Sequence, residues 1–267
     1  MAQPPCAGLD GRLDRLSSLI ERFRVHAGIV MPGADASDEA NFHVYRTLDA
    51  GLLLVFMPYG SAPARSAPTT AGKDPGERLV AAQITISGAG HHLVMALPER
   101  IAIALKDAPE LAAVVEPLVA EVVQPRCGGL AVFHRLCEVV VIRLLRHALE
   151  RGAADVGLLA GLAHPRLATA LVSVHEAPQK HWTLEQLAET AGMSRTQFAV
   201  TFKEVLGITP GGYLSNWRLE IARTELESGT PVKTVARMCG FSSAAAFSRA
   251  FTRRFGHAPK MERHRAA

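Results

Sequence analysis

The chain has 267 residues, 48% of them hydrophobic and 20% charged, an ordinary globular composition with length for two domains. Its net charge of +4 is unevenly placed: residues 163–267 carry 14 Lys/Arg against 8 Asp/Glu, and residues 1–162 carry 15 against 17. This excludes a largely disordered chain and directs the search for a polyanion-facing surface to the C-terminal part.

In chain order, the first dozen residues are rich in Pro, Gly and Ala and read as loose. Leu13 to Val25 has apolar residues at helical spacing, which predicts a short amphipathic helix ending before Gly28. FHVYRTL alternates from Phe42, and GLLLVFMPYG is a compact apolar run closed by Pro58 and Gly60, so both predict strands. Residues 60–77, dense in Pro, Gly and small residues, predict an exposed loop. LVAAQITISG predicts a further strand, and HHLVMALPERIAIAL a further short pair. Together these give a small, mostly antiparallel β-domain.

The pattern turns helical at Pro109. ELAAVVEPLVAEVV predicts one helix, kinked or split by Pro117. Leu130 to Glu150 predicts a long helix whose apolar stripe is wider than one packing face requires, either as core or as a seam for a second copy. GAADVGLLAGLAHP reads as the connection, and a helix is expected from about Pro165. The expected domains are 1–152, a linker at 153–164, and 165–267.

The last third repeats itself. LEQLAETAGMSRTQFAVTFKEVLG, from Leu184, and VKTVARMCGFSSAAAFSRAFTRRFG, from Val232, align with Ala188 on Ala236, Gly192 on Gly240, Phe198 on Phe247 and Phe202 on Phe251. Each copy reads as a short helix, a Gly turn and a second helix with apolar residues four apart, the sequence form of a helix-turn-helix. In the first copy Thr183 and Ser194 are expected N-caps, with Gln186 and Gln197 three residues on. Leu184, Leu187, Ala188 and Ala191 are expected inward on the supporting helix, and Phe198, Phe202 and Val205 on the second. Gly192 is expected at the turn because a side chain there would crowd the crossing helices.

The opposite face of that second helix then carries Arg195, Thr196, Gln197, Ala199, Val200 and Lys203 as candidate DNA contacts. Arg forks onto guanine, Thr or Ala touches a thymine methyl, and Lys suits a phosphate. In the second copy Val232, Val235, Ala236 and Met238 are expected inward, Ser242 is the expected cap, and Phe247, Phe251 and Phe255 hold the reader helix. Ser243, Ala244, Ala245, Ser248, Arg249, Thr252 and Arg253 then face outward. That face has few hydrogen-bonding groups besides Arg249, so it is expected to supply affinity through phosphates more than base discrimination. Between the copies, Tyr213 to Ser228 predicts a rigid spacer helix on which Arg218 and Arg223 are candidate contacts to the DNA backbone. A helix of that length can hold two readers about one DNA turn (~34 Å) apart.

These stretches resemble the AraC/XylS family of bacterial transcription regulators. The likeness rests on WTLEQLAETAGMSRTQFAVTFKEVLGITPGGYLSNWRLEIARTEL and on VKTVARMCGFSSAAAFSRAFTRRFGHAP, over about residues 165–260. Members usually carry Glu, Gln or Asp among the positions of Ser243, Ala244 and Ala245. Residues 12–150 resemble the degenerate cupin-like regulatory domain of one branch of that family, through AGLLLVFMPYG (with Leu52 where such domains carry Asp), ALPERIAIAL and PRCGGLAVFHRLCEVVVIRLLRHAL. The resemblance implies an α+β architecture of cupin-like β-domain, dimerisation helices and an all-α pair of helix-turn-helix units. It implies double-stranded DNA as partner, a homodimer, an effector of unknown identity, and RNA polymerase as a further candidate partner.

Other chemistry is poorly supported. His26, His43, His91 and His92 fall in the β-domain without a His-x-His, and adjacent His91 and His92 on a strand would point to opposite faces. No metal site, cofactor or catalytic residue is expected, because nucleophile-elbow, phosphate-loop and paired-carboxylate motifs are missing. A small-molecule-binding module, or a cupin-type enzyme with a helical assembly domain, is the alternative. Cys6, Cys127, Cys137 and Cys239 have no zinc-ligand spacing; Cys127 and Cys137 are the candidate redox pair, against a plain reading of Cys137 as a small buried residue. No basic-then-apolar leader is legible, and apolar runs are broken by charge within about a dozen residues, so a cytoplasmic chain is expected.

Overall fold

The computed structural model describes residues 13–30, 40–58, 76–88, 94, 97–151 and 156–265. The chain divides into two compact units, one of Arg24–Ser87 and His91–Ala154, the other of Met1–Phe23, Gly88–Gly90 and Asp155–Ala267. The architecture is α+β, with the sheet in the first unit and helix-turn-helix units in the second.

The sheet has five strands in the order β1-β4-β2-β3-β5: β1 Phe23–Ile29, β2 Phe42–Arg46, β3 Leu52–Phe56, β4 Glu77–Gly88 and β5 Ile101–Ala104. β2 runs antiparallel to β3 and β4, and β3 antiparallel to β5. Alternation sorts the side chains. Phe42, Val44, Leu54, Phe56, Val80, Ala82, Ile84 and Ile103 form one buried apolar face. His43, Tyr45, Leu53 and Val55 fall on the other. Asn41 lengthens the ladder: its side chain donates to Ile84 O (2.8 Å) and accepts from Ile84 N (2.7 Å).

After the sheet come two helices of the same unit that pack on each other, α2 Pro109–Val123 and α3 Gly129–Glu150. α2 runs unbroken through Pro117, so the expected split does not occur; Val115, Leu118 and Val119 are buried on either side of it. α3 buries Phe133, Cys137, Val140, Val141, Leu144, Leu145 and Ala148, and leaves Leu130, Val132 and Val139 exposed.

The sequence reading needs correction in places. The helix expected over Leu13 to Val25 is only α1, Ser17–Ile20, and the chain is already in β1 at Phe23. FRVHAGI alternates its burial from Phe23 on, and that period of two decides the matter. The stretch read as a connection carries α4, Leu158–Ala163, with Leu158, Leu159 and Leu162 buried. The loop expected at 60–77 and the pair His91/His92 lie outside the described residues, apart from Gly76 and Glu77. Of the other two histidines singled out, His43 is buried and His26 exposed.

The second unit continues with α5 Leu167–Glu176, α6 Leu184–Thr190, α7 Arg195–Leu206, α8 Pro210–Glu227, α9 Val232–Met238, α10 Ala244–Phe255 and α11 Pro259–Arg265. α5 starts at Leu167 with Arg166 as its N-cap residue, so Pro165 stands just outside it. No helix among the described residues is long and apolar enough to cross a membrane.

Candidate nucleic-acid interface

Each helix pair is started by its own side chains. Thr183 and Gln186 form a reciprocal capping box at the start of α6, at 3.2 Å in both directions. Ser194 Oγ accepts from Gln197 N and begins α7. In the second pair the cap is Ser243, accepting from Ala246 N, and not Ser242. Ser243 is the residue that aligns with Ser194 under the shift of the reader helices.

The turns are glycine turns for different reasons. Gly192 has φ +62°, the left-handed region, with open space where a Cβ would stand. The expected crowding is therefore not its reason; backbone conformation is. Gly240 has φ +73°, and a Cβ there would also lie 2.7 Å from the Gln179 carbonyl oxygen.

Aromatic side chains seat both reader helices. On α7, Phe198 and Phe202 are buried with ring centroids 5.4 Å apart, and Phe202 meets Tyr213 of α8 at 5.8 Å. Tyr213 hydrogen-bonds His175 of α5, which in turn packs on Trp217 at 4.6 Å. On α10, Phe247 and Phe251 are buried 5.5 Å apart, and Phe251 meets Phe255 at 4.5 Å. Arg223 of α8 lies over the Phe255 ring, and Arg254 reaches the buried Glu220 of α8 at 3.6 Å. One helix, α8, thus fixes both readers. Each buried Phe contributes about 2–3 kcal/mol of burial free energy to that seating.

Two inward assignments shift by one position, and Leu184 is not inward at all. Leu206 is buried while Val205 is half-buried. Leu184 is 42% exposed, and Met238 is 48% exposed with Cys239 buried in its place.

The outward faces stand clear. Arg195, Thr196, Gln197, Val200 and Lys203 of α7 are exposed and Ala199 half-buried. On the second unit Ser243, Ala244, Ala245, Arg249, Thr252 and Arg253 are exposed and Ser248 half-buried. The first turns differ in kind: α7 offers Arg195, Thr196 and Gln197, where α10 offers three alanines. Sequence reading missed Lys233 and Arg237, one turn apart on α9, which border a cleft of about 290 Å³ with Thr234, Ser242 and Ser243. Their spacing of four on a short helix was the available signal.

Arg218 departs from its expected role. Its Nε donates to Pro178 O (2.7 Å) and its Nη2 to Lys180 O (2.9 Å), so the guanidinium ties α8 to the segment before α6. Arg223 is likewise engaged, with Glu220 at 3.3 Å and Glu227 at 3.8 Å.

The candidate redox cysteines separate. Cys127 is exposed just before α3, and Cys137 is buried eight residues into that helix. Burial pushes the Cys137 and Cys239 thiols up to about 12. A rise of about 12 Å over eight helical residues exceeds the reach of a disulfide. Among the described residues no group of His, Cys, Asp and Glu could hold a metal ion.

Comparison with known proteins agrees with this geometry. A family described as "Helix-turn-helix domain" matches residues 187–265, and one described as "Cupin" matches residues 54–150. A putative AraC-like transcription regulator of Streptomyces lividans is 39% identical over 51% of this chain and 45% of its own length. An uncharacterized HTH-type transcriptional regulator of Haemophilus influenzae is 34% identical over 64% of this chain and 57% of its own. A solved transcriptional regulator with an AraC-type DNA-binding domain, from Chromobacterium violaceum, is 32% identical, covers 32% of this chain and 78% of that one, and has a TM-score of 0.31. The chain spans about half the length of the curated relatives it matches. With a cupin match ahead of a helix-turn-helix match, the chain is similar to AraC-like transcription regulators.

Proposed function

We propose that this chain is a cytoplasmic, homodimeric transcription regulator that binds double-stranded DNA through α7 and α10. The observation that carries the reading is the pair of capped helices, each seated by buried phenylalanines and each leaving its opposite face exposed. α7 reads bases, with Arg195 forking onto a guanine and Thr196, Ala199 and Val200 against thymine methyls. α10 secures the second groove segment through phosphates, using Arg249, Arg253 and the hydroxyls of Ser243 and Ser248. Lys203 supplies a phosphate contact on the first segment. The α8 helix, about 27 Å long, sets the spacing between them.

The cupin unit carries the regulation, and the exposed Val132 and Val139 of α3, seven residues apart on one side of the helix, supply a seam for a second copy. Residues 1–152 then serve sensing and pairing, and 165–267 serve DNA. A contact with RNA polymerase follows from the same role. The relatives are named as regulators, and an enzymatic role has no support beyond the cupin match.

The test is retention of the purified chain on duplex DNA across a salt series, followed by sequencing of the genomic fragments it selects. Binding that falls linearly in log–log with salt and enriches one bipartite sequence supports the reading. Salt-insensitive binding, or fragments with no shared sequence, removes it.

A further inference from the structure

The two helix-turn-helix units divide their charge in opposite ways. Under the alignment that sets Ala236 on Ala188, Lys233 and Arg237 of α9 fall on Glu185 and Glu189 of α6. All four side chains are exposed, and in each pair they stand four apart, on one side of their helix. The reader helices differ in the reverse sense. α7 opens with Arg195, Thr196 and Gln197, and α10 with Ala244, Ala245 and Ala246. The unit with a polar reader thus has an acidic supporting helix, and the unit with an alanine reader has a basic one.

The cleft beside α10 joins the two features. Lys233 and Arg237 line it together with Phe241, Ser242, Ser243 and Ala244, at the turn and the start of the reader. Its wall at the turn is fixed, since Phe241 meets the buried Phe247 at 5.2 Å. Among the described residues no acid lines the cleft, and Lys233 and Arg237 make no ion pair or hydrogen bond. Between Glu227 and Glu262 the chain carries six Lys/Arg and no Asp or Glu, so these charges have no local counter-charge.

On a DNA-facing unit, such cations meet a phosphate or a base edge, and position separates the two. Arg237 lies in the last turn of α9, next to the turn that leads into α10, whereas Lys233 lies one helical turn further back. Alanine side chains make no hydrogen bond to a base, and their small size leaves room for a longer side chain from the neighbouring helix. In the first unit Glu185 and Glu189 repel phosphates at the matching positions, so contact there falls to α7. We propose that in the second unit the base-reading side chain comes from the supporting helix: Arg237 reaches across the cleft and forks onto a guanine of the second groove segment, with Lys233 on a neighbouring phosphate. Its place in the groove rests on the reading above that α10 faces DNA, and Arg237 then supplies the base preference that the first turn of α10 lacks.

The experiment uses the full chain and the bipartite duplex that it selects, set against random duplex and against duplexes changed one base pair at a time across the second segment. Arg237→Met is expected to lose about tenfold or more on the selected duplex and little on random duplex, and to level the preference at one position of the second segment. Arg237→Lys keeps the charge without the fork, so it fails to restore that preference. Should Arg237→Met fold poorly, Arg237→Lys carries the same comparison, since only the fork is removed. Lys233→Met weakens both duplexes alike and lowers the salt slope by about one. Arg249→Ala, on the reader helix itself, leaves the second-segment preference in place. Equal loss on both duplexes for Arg237→Met makes Arg237 a phosphate contact and overturns the base-reading role. An unchanged preference in the second segment, or its levelling by Arg249→Ala, overturns it as well. A parent that binds no duplex or enriches no shared sequence removes the DNA reading itself, whereas these outcomes in a binding parent count against Arg237 alone.

Discussion

Arg218 holds Pro178: the Nε of an arginine in α8 donates at 2.7 Å to the carbonyl of a residue forty positions earlier, and its Nη2 reaches Lys180 O at 2.9 Å. Lys180 in turn stands 3.8 Å over the Trp182 ring, one residue before the Thr183 cap. The side chain therefore fixes where α6 begins. Replacing it with Met is expected to lower unfolding free energy by about 2–4 kcal/mol, from two lost charge-assisted bonds. Lys should rescue little, since an ammonium does not reproduce the fork that meets two carbonyls. The discriminating measurement is the salt slope of DNA binding. A positioning residue leaves it unchanged while affinity falls, whereas a phosphate contact reduces it by about one.

The two turn glycines should respond differently to the same methyl. At Gly192 an alanine meets open space and suffers only the left-handed backbone, about 1–2 kcal/mol. At Gly240 the same Cβ stands 2.7 Å from Gln179 O and 3.0 Å from Arg218 Nη2. Gly240→Ala must shift backbone and disturb the Arg218 clamp, so its loss should exceed that of Gly192→Ala by about 1 kcal/mol or more. Urea denaturation of the two variants decides this, and equal midpoints would contradict the close approach.

Much of the DNA-facing unit could be read from the sequence because its signals are local. Thr183 with Gln186, Ser194 with Gln197, and phenylalanines four apart each declare themselves within one turn of helix. What sequence hid depends on distance or on register. Arg218 finds its carbonyls 38 and 40 positions away, and no local pattern announces that. Ser242 and Ser243 are equally good caps by chemistry, and only the alignment of the reader helices chooses between them. In RLSSLIERFRVHAG the periods of two and of 3.6 compete, and the strand wins from Phe23 because Phe23, Val25, Ala27 and Ile29 alternate.

The thiols should divide by burial. Cys127 is exposed, whereas Cys137 and Cys239 are buried with their acidity pushed to about 12, leaving negligible thiolate at neutral pH. In a Cys6→Ser background, a thiol reagent at pH 7.5 is expected to modify Cys127 in the folded protein. It should reach Cys137 and Cys239 only after denaturant is added. Mass mapping of the labelled peptides checks it. Oxidant should leave DNA affinity equal in the parent and in a Cys127→Ser/Cys137→Ser variant, and a response lost with that pair would restore the redox switch.

Arg195 and Lys203 sit on the same exposed face of α7, yet they should behave differently on DNA. Arg195 opens the helix directly after the Ser194 cap, where a fork can reach a base edge; Lys203 lies two turns on, where a point charge meets a phosphate. Arg195→Ala is expected to cost about 1–3 kcal/mol on the selected sequence, to cost little on random duplex, and to relax preference at one base position. Lys203→Ala should weaken both duplexes alike and flatten the salt slope by about one. On the second reader, Arg249→Ala, at the position that aligns with Val200 of α7, should resemble Lys203→Ala and not Arg195→Ala, because the first turn of α10 offers only alanines to the bases. Affinities measured on specific and random duplex at two salt concentrations separate these outcomes. Equal loss on both duplexes for Arg195→Ala would take base reading away from α7.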